Sequence, residues 1–316
     1  MVTINWDEID HDIVLPAHHE EFSIRVENPA SPPIGDVHAF NNRGHDFEAI
    51  KRTSIKRVTV SHAAGVISNG TSSLTYDRAA LLTSEWWFNY SHLMVDMLPM
   101  TRFLDNLKLD TILLPPNAAA PQLVELMNLK TRIGFLSEDS SIGVGELYLL
   151  SENGPPSMKP SWVPGYLREV MMHERDESGV SSSERLWISR VDTPHRQMRV
   201  KASFYARIRE RGIRPVVASR LSIKDQIDLF ARAELVCGVH GAGFTNVIFS
   251  PKRSSLLELF DPYWLNGAFR ILCSHRKMNW RYLQGEAYPS SRDNFLRDVK
   301  IQPDLVLDAI DKIIIE

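Results

Sequence analysis

The sequence is poor in cysteine: only Cys237 and Cys273 occur in 316 residues. That excludes a disulfide framework and a thiolate-rich metal site, and it fits a reducing compartment. Cys237 lies in an apolar run and reads as a small buried residue. Long hydrophobic runs are missing as well. None approaches the ~18 apolar residues of a membrane span, and the acidic N-terminus Met1-Val2-Thr3-Ile4-Asn5-Trp6-Asp7-Glu8 has no apolar core of a secretion signal. The expected address is the cytoplasm. Nor is there an excess of positive charge, since 36 Lys and Arg stand against 39 Asp and Glu. Nucleic acid and anionic membrane therefore find no global basic field, and binding has to come from a local site.

What is present is an ordinary globular composition, 43% hydrophobic and 24% charged, in a chain longer than one core usually serves. Residues 1–55 read as an irregular arm with at most one strand. Within it Asp10-His11-Asp12 has the form of a metal-binding Asp-x-Asp, but it precedes any buried strand and reads as a solvated turn. The run Arg57 to Ser68, ending at Asn69-Gly70, predicts a hairpin. Strands are predicted at 110–114 and 145–150, with helices at 121–130 and 161–174, so the first half is α/β. The polar, Ser-rich segment 175–184 is the expected domain boundary. Beyond it strands at 186–189, 215–218, 235–239, 255–260 and 279–283 alternate with helices at 200–211, 222–233 and from Trp264, and a last helix covers 303–315. Successive strands with short crossovers predict a Rossmann-like sheet whose ligand belongs at the carboxyl strand ends. The expected division is 1–175, 185–302 and a C-terminal helix 303–316.

Two stretches carry candidate chemistry. In Cys237-Gly238-Val239-His240-Gly241-Ala242-Gly243-Phe244-Thr245-Asn246 the small residues Gly241, Ala242 and Gly243 let backbone approach a ligand, and a helix starting there aims N–H groups at an anion. The Lys-Ser/Thr ending of a Walker loop is absent. The same glycines also suit a plain strand-to-helix joint. In Trp86 to Leu107 apolar residues recur at helical spacing, with Pro99 as a kink or boundary. His92 and Asp96, four apart, share one face as a cleft-lining acid/base pair or as an intrahelical ion pair. Arg190, the His240 to Thr245 turn and Glu258 with Asp261 fall at predicted strand ends, and Arg196 lies in the basic loop that Arg190 opens. That set matches a nucleoside diphosphate: arginine forks and turn amides for phosphate, His240 and Thr245 as added donors, and Glu258 for ribose hydroxyls.

Three blocks in order resemble glycosyltransferase family 61, which includes bacterial capsular-polysaccharide proteins, plant xylan-decorating transferases and animal protein O-GlcNAc transferases. They are Asn89-Tyr90-Ser91-His92 with Asp96 and Leu98-Pro99; Trp187-Ile188-Ser189-Arg190; and Gly238 to Asn246 with Phe249, Pro251 and Leu257-Glu258-Leu259-Phe260. The resemblance implies an α/β fold of GT-B type, two Rossmann-like domains facing a cleft, with nucleotide in the C-terminal one. It also implies inversion and no required metal or other cofactor. The loop Val191 to Val200 departs from the family pattern, which usually has further basic residues and an Asn-Glu pair there.

The expected function is transfer of a sugar from a nucleotide-sugar donor, UDP-linked, to a glycan hydroxyl in polysaccharide biosynthesis. His92 or Asp96 serves as base, Arg190, Arg196, His240 and the Gly241-Ala242-Gly243 amides stabilise the leaving group, and Asn89 and Tyr90 line the acceptor side. The expected partners are that donor and a glycan acceptor, with peripheral association to membrane-bound assembly machinery. A GT-B transferase of pyruvyl type and a non-catalytic scaffold subunit remain the alternatives.

Overall fold

The computed structural model describes residues 51–53, 57–61, 64–68, 74–82, 84, 86–104, 107–136, 141–149, 159–172, 184–263, 265–286 and 297–315. The arm before residue 51 with its Asp10-His11-Asp12 turn, the Asn69-Gly70 turn, Trp264 and nearly all of the Ser-rich boundary segment lie outside the described residues.

The first half builds a mixed sheet from β1 (Lys51–Thr53), β2 (Arg57–Ser61), β3 (Ala64–Ser68), β4 (Leu74–Leu81), β5 (Thr111–Leu114), β6 (Ile133–Phe135) and β7 (Ser141–Leu149). The order is β3-β2-β7-β4-β5-β6, with β1 also paired to β7. Strands β7, β4, β5 and β6 run parallel. The predicted hairpin is there, but the run itself folds back: Arg57 pairs with Ser68 in β2 and β3, and this antiparallel pair extends the sheet beyond β7. Helices α1 (Tyr90–His92), α2 (Ala120–Met127) and α3 (Trp162–Met172) belong to this half.

In the second half every strand is parallel to its neighbours. Strands β8 (Glu184–Ile188), β9 (Ile213–Val216), β10 (Ala233–Val239), β11 (Ser255–Phe260) and β12 (Asn279–Gln284) lie in the order β12-β11-β10-β8-β9. The interior strand β11 is buried along its whole length, as expected of a parallel strand covered on both faces. Helices α4 (Ala202–Glu210), α5 (Ile223–Phe230), α6 (Ala268–His275) and α7 (Pro303–Ile315) connect or cover it. As the sequence predicts, Ser222 caps α5 by accepting from the Asp225 amide at 3.1 Å. Gly212, at φ 71°, ends α4.

Both sheets reverse their winding once. From β8 the chain moves outward to β9, then crosses to β10 on the other side. From β4 it moves to β5 and β6, then crosses to β7. A crevice opens outside the carboxyl ends wherever neighbouring connections leave in opposite directions. The β8/β10 and β4/β7 gaps are those two places.

The halves share one apolar cluster, in which Leu93, Leu98 and Leu123 belong to the same core as Ile188, Phe244 and Ile248. A second cluster, with Trp187, Phe204, Leu257 and Val306, fills the other face of the second sheet under α4 and α7. Polar contacts also cross between the halves. Tyr90 Oη donates to Asn246 Oδ1 at 2.6 Å, and Arg168 Nη1 donates to the Phe249 carbonyl at 2.6 Å. The Ile223 amide donates to Gln122 Oε1 at 2.9 Å. Among the described residues no helix is long and apolar enough to cross a membrane.

Gly238 sits in β10 opposite Ile188 of β8, at φ 148°, and a Cβ there would meet the Ile188 carbonyl oxygen at 2.6 Å. Gly165, exposed on α3, has nothing within 4 Å of the equivalent position. In urea denaturation Gly238→Ala is expected to cost about 2 kcal/mol, whereas Gly165→Ala gains about 0.5 kcal/mol from helix propensity.

Candidate functional site

The chain leaves the carboxyl end of β4 through Trp86 and enters an irregular helical segment. Asn89 Oδ1 accepts from the Ser91 amide at 2.8 Å, so this side chain, expected on the acceptor side, is the N-cap of α1. The sequence predicts a helical stretch with a kink or boundary at Pro99. Leu93–Met97 widens into a π-turn, with the Leu98 amide bonded to the Leu93 carbonyl, and Leu98–Phe103 tightens into a 3₁₀ turn with Pro99 in its first positions. Single π-turns often mark functional positions.

Inside this widened turn His92 Nδ1 lies 2.6 Å from Asp96 Oδ2, and Lys159 Nζ lies 2.6 Å from Asp96 Oδ1. The Asp96 side chain is 0% exposed, Lys159 2% and His92 18%. A buried carboxylate is tolerable only if paired, and here each oxygen has a cationic or N–H partner. That leaves Asp96 no open face. The carboxylate holds the imidazole proton on Nδ1 and leaves the Nε2 lone pair available. Trp86 stacks on the His92 ring at 6.3 Å, and Trp86 and Phe88 are both exposed beside it. Sequence reasoning missed Lys159. It stands alone between Met158 and Pro160 with no periodicity to mark it, and only the fold brings it to Asp96 from beyond β7. Its carbonyl accepts from His275 Nε2 at the end of α6, 2.7 Å away.

The β8/β10 gap holds the second group. Arg190 follows β8, and its guanidinium occupies the space where Gly241 has no side chain: a Cβ at 241 would lie 1.8 Å from Arg190 Nη1. Arg196 adopts φ 52°, an unfavourable backbone region for a non-glycine residue and one that recurs at functional sites. Burial lowers the pKa of Arg190, with Asp192 opposing. Arg196 is pushed down to about 10, first by burial and then by the charge of Arg190. Like charges gathered in a half-buried edge create a positive potential that an anion would relieve.

His240, the last residue before the turn, directs Nδ1 to Glu258 Oε1. Trp280 Nε1 donates to Glu258 Oε2 at 2.8 Å. Glu258 is 0% exposed, so the ribose contact expected of it has no open oxygen; its role is to fix the His240 ring. Thr245 is also 0% exposed, but its hydroxyl has no hydrogen-bond partner among the described residues, so unlike the Glu258 oxygens it is not spent on a protein partner. The helix expected after Gly241 is there, as a 3₁₀ helix over Ala242–Phe249. Its first bond runs from the Phe244 amide to the Gly241 carbonyl at 2.9 Å, leaving the Ala242 and Gly243 amides outside the helix ladder. Tyr90, half-buried and expected on the acceptor side, spends its hydroxyl on Asn246 of this same helix. Burial raises the Tyr90 pKa, with that hydrogen bond opposing.

The two groups are thus set against each other by Tyr90 and Asn246, two residues before His92 and three after Gly243. The Glycosyltransferase 61 family model matches residues 90–257, just over half of the chain, and the match takes in His92, Asp96, Lys159, Arg190, Arg196 and the His240 to Asn246 turn, ending one residue before Glu258. No curated protein matches the chain. The chain belongs to the glycosyltransferase 61 family and is a glycosyltransferase.

The His240 pKa is lowered, chiefly by burial. Glu258 opposes, and Arg196 and Arg190 add to the lowering. The unfolded chain therefore binds a proton near pH 6.5 that the folded chain refuses, so this group costs stability as the pH falls below about 6.5 and nothing above it. Thermal melts between pH 8 and pH 5 should show a steeper acid loss for the native protein than for His240→Asn. Parallel curves would contradict the assignment.

Proposed function

We propose that this transferase moves a sugar, with inversion, from a UDP-linked donor to a glycan hydroxyl in polysaccharide biosynthesis, without a required metal. In this reading the chain divides into an acceptor-side domain, 1–175, and a donor domain, 185–302, closed by the helix 303–316. The two face each other in the GT-B manner, and the enzyme works in the cytoplasm beside membrane-bound assembly machinery. The observation that carries the reading is the Tyr90 to Asn246 hydrogen bond, which sets the turn bearing His92 against the turn bearing Gly241.

Between those walls His92 Nε2 takes the proton of the acceptor hydroxyl as its oxygen attacks the anomeric carbon from the face opposite the diphosphate. The bond from anomeric carbon to diphosphate oxygen breaks, and its electron pair leaves with the nucleotide. Arg190, Arg196 and the Ala242 and Gly243 amides stabilise the charge that develops there, so the work a divalent ion would do falls to guanidinium and backbone. Asp96 acts through His92: it holds the ring and balances the imidazolium that forms. Lys159 keeps Asp96 paired throughout.

Thermal shift against UDP, GDP and CMP tests the donor, with stabilisation by UDP alone expected. With the UDP-sugar that a donor screen selects, His92→Ala should lose about 10²- to 10⁴-fold in turnover while binding UDP normally. Full turnover in that variant would remove His92 from the mechanism. Gly241→Ala, which displaces Arg190, should weaken UDP binding about tenfold. Absence of stabilisation by every nucleotide would instead favour a non-catalytic scaffold.

A further inference from the structure

With Glu258 closed off, the nucleoside side of the donor needs another acceptor, and the carboxyl end of β11 supplies a candidate. Asp261, the first residue after that strand, is only 5% exposed. Its Oδ1 accepts from the Tyr263 amide at 2.9 Å. Its Oδ2 is buried and has no hydrogen-bond partner among the described residues. Leaving a buried carboxylate oxygen without a donor is costly, so such an atom in a folded protein calls for a ligand or an ordered partner.

The surroundings say what kind. Asp261 lines a small cavity together with Arg196, His240, Phe260 and Arg297, at the carboxyl ends of β10 and β11. This cavity is displaced by about one strand spacing, ~4.8 Å, from the β8/β10 gap where Arg190 meets Gly241. An ionised carboxylate accepts only, so its partner has to bring O–H or N–H and cannot be a phosphate oxygen. A group rich in hydroxyls, one strand along from a bound diphosphate, is the ribose of the same nucleotide.

We infer that Asp261 is a specificity residue that accepts hydrogen bonds from the ribose diol of the donor nucleotide, on the side of the site away from the sugar. This rests on the nucleotide-donor reading above. Glu258 and Asp261 then divide the labour of one strand: the inner carboxylate orients His240, and the outer one reads the nucleoside.

Calorimetry on the full chain tests it. The tightest binder among UDP, GDP and CDP is compared with its 2′,3′-dideoxy counterpart. The native protein should prefer the ribonucleotide about tenfold or more. In Asp261→Asn the amide oxygen can still accept from the Tyr263 amide at nearly unchanged volume, and the preference should fall below about threefold while the dideoxy affinity stays the same. Equal binding of both nucleotides by the native protein overturns the role of Asp261 and leaves the donor reading standing, and that comparison needs no variant. A preference that survives in Asp261→Asn likewise overturns it. Failure of every nucleoside diphosphate to bind overturns the donor reading and this inference with it.

Discussion

Asp96 is a carboxylate with no surface open to solvent, and much of the molecule is arranged around that fact. Its two oxygens take a ring nitrogen from the turn after β4 and an ammonium from the segment after β7, so both sides of the first sheet's reversal converge on it. The π-turn has a structural reading in the same terms: it is the local backbone in which His92 and Asp96 meet at 2.6 Å beside Lys159. The anchor extends further, because the Lys159 carbonyl is itself held by His275 from the second half. Breaking one member leaves another charge stranded in a low-dielectric interior, so removing a single partner is strongly destabilising.

The second half repeats the device with different partners. His240 turns Nδ1 toward a fully buried Glu258, which Trp280 satisfies on its other oxygen. Each histidine is therefore oriented by an inward carboxylate, His240 directly at the carboxyl end of β10 and His92 in the helical segment that follows β4. The difference lies in the neighbours. Asp96 is neutralised by a lysine, whereas the field around His240 is made positive by Arg190 and Arg196. That asymmetry is the physical ground for giving one side proton transfer and the other anion stabilisation.

Glycine and arginine are coupled in the same way. Gly238 allows β10 to pass close to the Ile188 carbonyl, and Gly241 vacates the volume that the Arg190 guanidinium fills. The glycines of this turn thus do more than free the backbone: they make room for a strand and for a charge.

Much of this was legible in the sequence. Strands β10 and β11 are near-continuous apolar runs, as buried parallel strands must be, and the final helix was readable from its 3.6-residue period. The pairing of His92 with Asp96 followed from a four-residue spacing. What local pattern could not encode was decided by tertiary structure. Strand β4 escaped notice because Asp77 and Arg78 interrupt it, yet Arg78 is matched across the sheet by Glu146 at 3.2 Å. Lys159 carries no periodic signal at all. Glu258 was assigned to a ligand because, in a strand buried on both faces, Leu256-Leu257-Glu258-Leu259-Phe260 shows no alternation to tell inward from outward. Spacing along one element fixes which residues share a face. Which charge compensates which across elements depends on strand order and burial, and these exist only once the chain has folded.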